Sequence, residues 1–381
     1  MRRISWAAAV LLVGAAPIHA QVTGIRVDSG AFVTRLGADT LAVERFVRTA
    51  DSVWGEMVSR APEVRRARYV ARLDRAGNVT TYELTFVNGG HVTATFQNDT
   101  VHLTVTTRDS TTHQAQSLSV RGRAVGRYVV PLAEPAYGLH ELAVVRAQSQ
   151  SGTRVPFVWY YVGDGPDTGS VLARGDSAWI TTPSDTIRLQ VDARGHIQSA
   201  TDPGGTLQAT VTRVAGWPDL DKTVAAAPLG ALSPRATARG TIAGANVVID
   251  YGRPSRRGRV IFGNVIPFNT VWRTGANAAT GFAIDRDLVL GTTSIPAGRY
   301  TLFSYITAKG WELIVNKNTG EWGTEYDHSA DLARISMRLD RNVTPPVDQF
   351  TISVQSDRIE MAWDTWKASV PVRAAQTTTG K

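Results

Sequence analysis

The chain has 381 residues, 43% of them hydrophobic, and a formal net charge of +8. That length suggests about two domains, and the apolar share is ordinary for a globular protein that builds a real core. There is no cysteine, which excludes disulfide staples and thiol nucleophiles. The positive balance comes almost wholly from Arg, with Lys only at 222, 309, 317, 367 and 381; composition of that kind is a poor argument for nucleic acid, which is not expected as a partner.

Residues 1–20 read as an export leader. Arg2 and Arg3 give a short positive start, and an apolar run from Trp6 to Ala16 follows that is too short to span a bilayer. Ile18-His19-Ala20 places a small residue at the cleavage position, so the mature chain is expected to start at Gln21, periplasmic or secreted. No later segment approaches eighteen apolar residues, so no transmembrane segment is expected.

Alternation then dominates. Tyr82, Leu84 and Phe86, then Val92, Ala94 and Phe96, then Val101, Leu103 and Val105 recur at period two, the signature of half-buried antiparallel strands. Ile187, Leu189 and Val191 continue it. After Pro135 the spacing of Leu139, Leu142, Ala143 and Arg146 predicts one helix over 135–149. From 214 to 232 the alternation stops in favour of Pro, Ala, Gly and Asp, a linker composition. Alternation returns later, as in Phe350, Ile352 and Val354, with a short helical turn predicted near Ser329–Arg334. The expected class is mostly β: an N-terminal domain at 21–213, a curved antiparallel sheet or half-barrel with one helix, and a C-terminal β-sandwich at 233–375. A polar tail occupies 376–381.

The C-terminal segment carries ordered landmarks: Tyr251-Gly252-Arg253-Pro254, Gly258-Arg259, Ile261-Phe262-Gly263, Trp272-Arg273-Thr274-Gly275-Ala276-Asn277, Pro296 to Phe303, Asn316-Lys317, Trp322-Gly323 and Met361-Ala362-Trp363. In these, 233–372 resembles the bacterial family catalogued as domain of unknown function 2911. The resemblance implies an exported, β-rich module with no assigned activity. One position departs: the family commonly has Glu after Gly-Ala-Asn, and here Ala278 stands there. The N-terminal half loosely resembles the half-barrel sheets of periplasmic carrier proteins.

The candidate ligand-binding residues are Arg253, Arg259, Trp272, Arg273 and Asn277. Guanidinium forks grip carboxylate or phosphate in two places, neighbouring glycines let backbone amides approach an anion, and Trp272 offers a stacking face. The partner class this set implies is an anionic or glycan ligand. The structural alternative puts Trp272 in the core and pairs a buried Arg273 with Asp250 or Glu360. Glu325, Asp327, His328 and Asp331 match neither an EF-hand nor a zinc motif, so no metal is expected, and a capped acidic loop is the simpler reading. Gly163 to Gly169 superficially resembles a phosphate loop but lacks the Lys and helix. No standard catalytic constellation is present in sequence, and no cofactor is expected. The expectation is a non-catalytic exported binding or envelope-associated module; the alternative is a hydrolase acting on envelope glycans or esters, built on two carboxylates sharing one pocket.

Overall fold

The computed structural model describes residues 28–375 except 88, 98–99, 109–114, 124–127, 133–135, 162–164, 183–185 and 202–206. The expected leader at 1–20 and tail at 376–381 lie outside the described residues, as does the first part of the 163–169 loop, whose remainder opens the strand Gly165–Arg174. No helix among the described residues is long and apolar enough to cross a membrane.

The protein is mostly β, as expected. Fifteen strands between Asp28 and Val214 form one sheet. Strands from Asp28–Leu36 to Ala115–Arg123 meander away from one edge of the first strand. Those from Val129–Leu132 to Thr210–Val214 return to its other edge, so Asp28–Leu36 pairs with both Asp39–Arg48 and Thr210–Val214. Pairing is antiparallel except between Val129–Leu132 and Arg154–Tyr161. Alternation decides the faces: Val92, Ala94 and Phe96 are buried while their neighbours face out. The sheet does not close into a barrel, yet it curls. Phe96 and Tyr160, on strands far apart in the sheet order, meet edge to face with ring centroids 5.8 Å apart.

Helix α1 (Tyr137–Gln148) falls within the expected 135–149. It buries Leu139, Ala143, Val144 and Ala147 in the core that lines the curl. Its N-cap, Ala136, offers no side-chain acceptor. Glu44 of Asp39–Arg48 supplies one instead, accepting from the Tyr137 N–H (2.6 Å) and the Gly138 N–H (3.1 Å).

The stretch 214–232 lies along the N-terminal sheet. It holds the short helix α2 (Leu220–Val224), capped by Asp219 through the Asp221 N–H. Leu220 is buried against Val43 and Val58. The Leu229 N–H donates to Arg60 O, and Arg60 donates back to Ala227 O, each at 2.7 Å.

Two sheets then pack face to face. The first orders Arg235–Ile242, Ala245–Gly252, Thr280–Ile284, Gly298–Ile306, Trp311–Asn316 and Asp331–Ser336, with Thr270–Trp272 pairing Gly298–Ile306 off this path. The second is built on Val347–Val354, Arg358–Asp364 and Trp366–Ala374. Val247, Ile249, Phe282 and Leu302 from one side meet Phe350, Met361, Trp363 and Val370 from the other in a single core. Only His328–Ala330 is helical in the turn expected at Ser329–Arg334. Asp331–Ser336 is a strand because Ala333 and Ile335 alternate into the core.

Candidate functional site

The arginines that stand out in the sequence hold the chain together. Arg253 donates to Phe350 O (3.1 Å) and to Thr351 Oγ1 (2.9 Å), tying its loop to the second sheet of the sandwich. Arg259 donates to Arg256 O, to Ser255 O and, at 2.6 Å, to Leu207 O of the N-terminal half. Burial pulls its pKa below the usual range. Arg257, between them, pairs with Asp39 at 2.5 Å, and its carbonyl accepts the Ala38 N–H. Gly37, at φ +59°, makes that approach possible: a Cβ there would stand 2.0 Å from Arg257 O.

Trp272 is 4% exposed. Its indole N–H donates to Gly275 O (3.1 Å), and its rings pack on Phe350 (4.9 Å), Trp363 (5.9 Å) and Trp311 (6.0 Å). Arg273 is half-buried and donates to Asn277 O (3.2 Å). The carboxylates expected as its partners are engaged elsewhere, Asp250 with Arg235 and Glu360 with Lys367. Asn277 sits at φ +63°, where its carbonyl also accepts the Gly323 N–H.

The acidic loop is equally committed. Glu325 accepts from the Trp322 N–H, and Asp327 caps the turn through the Ser329 N–H. Asp331 receives Asn316, Tyr326, His328 and Arg334. Burial, with Asp331 beside it, pushes Tyr326 up to about 12, so it stays a phenol at neutral pH. In the N-terminal half, Asp28, Glu141 and His196 bring ligand atoms within 4.8 Å of one another. Arg213 and Arg48 already face Glu141, and Arg48 also donates to Asp28, so a cation entering there would have to displace guanidinium groups.

A cavity of about 250 Å³ lies on the outer face of the first sandwich sheet. The local sequence makes it. Thr280–Ile284 buries Phe282 and Ile284 and turns Gly281 and Ala283 outward, so the sheet dips where its outward side chains are smallest. Pairing sets Asp250 and Thr301 on either side of Gly281, and Val248 and Arg299 on either side of Ala283. Arg235, Ala278, Ala279, Tyr300 and residues 319–321 complete the wall. A Cβ on Gly281 would meet nothing nearer than Asp250 O at 4.0 Å.

The charges around this cavity are unevenly satisfied. Arg235 and Asp250 form an ion pair, and the Tyr300 hydroxyl donates to Pro296 O. Arg299 is exposed and, among the described residues, its guanidinium has no ion-pair or hydrogen-bond partner. Both carboxylate oxygens of Glu321 are closed to water and have no hydrogen-bond partner. A buried polar group without a partner is costly, and an ionised one far more so.

None of Arg253, Arg259, Trp272, Arg273 or Asn277 lines this cavity, nor do Glu325, Asp327 and Asp331. Arg235, Asp250, Arg299 and Glu321 were not singled out as ligand contacts from sequence. The available signal was the pair of minimal outward residues, Gly281 and Ala283, in a strand that otherwise buries bulk. Ala278 is also in the wall.

No curated protein matches the chain in sequence. Among solved structures, a beta-barrel-like protein of domain of unknown function DUF1849 from Brucella abortus aligns at 11% identity and a TM-score of 0.31, over 49% of this chain and 94% of its own. Residues 233–372, which contain every residue of the cavity wall, match the family model described as "Protein of unknown function (DUF2911)", so this segment is similar to that family.

Proposed function

We propose that the protein is an exported, non-catalytic binding module whose C-terminal sandwich holds a small polar ligand in the cavity over Gly281. One observation carries the reading: Glu321, in the cavity wall, keeps a carboxylate out of water with no donor to meet it. A fold that tolerates such a group in its free form has a use for it when a ligand supplies the missing donor. The volume suits a ligand smaller than the drug-sized molecules that fill roughly 300–1,000 Å³. Export rests on the leader pattern of residues 1–20. N-terminal sequencing of protein recovered from a bacterial periplasm should find Gln21 first; Met1 or Arg2 would refute it.

The test of binding is a thermal-shift screen of sugars, amino acids and organic acids against the wild type and Gly281→Leu. At this strand position a Cβ meets no backbone atom nearer than 4.0 Å, so a Leu side chain starts outward into the dip. At least one compound should stabilise the wild type and leave Gly281→Leu unmoved. Equal responses would place the binding elsewhere.

A hydrolase acting on envelope glycans or esters is the second reading, favoured by two carboxylates, Asp250 and Glu321, in one wall. It predicts turnover of nitrophenyl glycosides or esters that Asp250→Asn abolishes. Binding without turnover supports the first reading.

A further inference from the structure

We infer that the ligand of this cavity is a small zwitterion, with a cationic amine for Glu321 and an anionic group for Arg299, as in a free amino acid. The inference rests on the binding reading above and narrows it to a chemical class.

Four charged side chains line the wall, and two of them cancel. Arg235 and Asp250 are paired, which leaves two side chains of opposite sign without a partner among the described residues: Arg299, exposed on the cavity, and Glu321, a wall residue whose carboxylate oxygens are closed off from the cavity in this rotamer. A neutral sugar brings hydroxyl dipoles, which donate to a carboxylate but do not neutralise it. A counter-charge does. An anion alone would satisfy Arg299 and be repelled by Glu321; a cation alone would do the reverse. A molecule carrying both answers both, and its body lies against Val248, Ala279, Ala283 and the dip at Gly281. Because the Glu321 oxygens are closed to water in the free protein, direct contact requires a change of rotamer toward the cavity. Arg299 stands exposed on the outer face of its strand and needs no such change. Its fork suits a carboxylate in two-point contact.

The experiment uses the full mature chain and, as probes, the common amino acids, each also as its N-acetyl and its amide form, read by calorimetric titration. At least one free amino acid should bind. Acetylation, which removes the cation, should weaken it about 10- to 100-fold, as the loss of one charge-assisted contact does. Amidation, which removes the anion, should weaken it in the same range. Glu321→Gln should bind the free and acetylated forms within about 3-fold of each other, and Arg299→Gln the free and amide forms likewise. Arg299 is exposed, so that variant keeps the test alive if Glu321→Gln misfolds.

Acetylated and free forms binding the wild type alike would overturn the inference. So would a sugar or dicarboxylate that binds wild type but not Gly281→Leu while no amino acid binds; the cavity would then stand as a binding site for another class. If no compound binds at all, both this inference and the reading beneath it fall.

Discussion

Glu44 in the N-terminal sheet and Glu321 beside the C-terminal cavity are both closed to water, and the chain treats them in opposite ways. Glu44, 1% exposed, accepts from the Tyr69 hydroxyl at 2.5 Å and from two backbone N–H groups at the start of α1. The Glu321 carboxylate accepts from nothing. Two further N-terminal carboxylates follow Glu44. Glu56 is held by Arg45, Arg66 and Arg68, and Glu141 by Arg213, Arg48 and the Ile197 N–H. Where a buried acid serves the fold, its donors come from the fold. Among the described residues the Glu321 carboxylate, with no donor on either oxygen, stands at a cavity, and that difference is why the candidate site is placed there rather than among the arginines of 253–259.

The comparison breaks first if the N-terminal acids are not structural. Glu141→Leu removes the counter-charge of Arg213, 15% exposed, and leaves Arg48, 13% exposed, with Asp28 alone. Breaking a buried pair from one side costs roughly 3–5 kcal/mol. The urea midpoint of the N-terminal transition should fall accordingly, or folding should fail. An unchanged midpoint would mean that the network contributes nothing.

A smaller effect, with a sign fixed by pH, is expected at Glu44. Burial pushes its pKa from 4.5 up to about 8, against the pull of Tyr69 and the two N–H donors. The folded state therefore holds a proton that the unfolded state has released across that window. Stability from this group is full below about pH 4.5 and is lost as pH rises toward 8. Glu44→Gln imitates the protonated form, so wild type should lose roughly 2–4 kcal/mol relative to the variant between pH 5 and 8. Parallel stability curves for the two proteins would show that Glu44 does not titrate in this range.

Much of the fold was legible because alternation is a local property. Val92, Ala94 and Phe96 announce a strand whatever they pair with, and Leu139, Ala143 and Arg146 announce α1. Residues 214–232 read as a tether because Pro, Ala and Gly carry no period, yet a single buried Leu220 and the bonds made by the Arg60 carbonyl and guanidinium lay them along the sheet. The site was least legible. Arg253, Arg259 and Trp272 drew attention by residue type, but their partners are backbone carbonyls and rings distant in sequence, such as Leu207 O and Trp363. Composition near them carries no trace of those contacts. Glu321 looks ordinary in sequence because what distinguishes it is a missing partner, a property of the packed structure alone.

The most direct test of the central claim is the stability of Glu321→Gln without ligand, by thermal and urea unfolding at pH 7. If the carboxylate is shut from water and unpaired, removing its charge relieves a cost. The variant should then be more stable by about 1 kcal/mol, roughly 2–4 °C in Tm for a domain of this size. A variant less stable than wild type would mean that Glu321 is held by the fold as Glu44 is, and would contradict its assignment to a ligand.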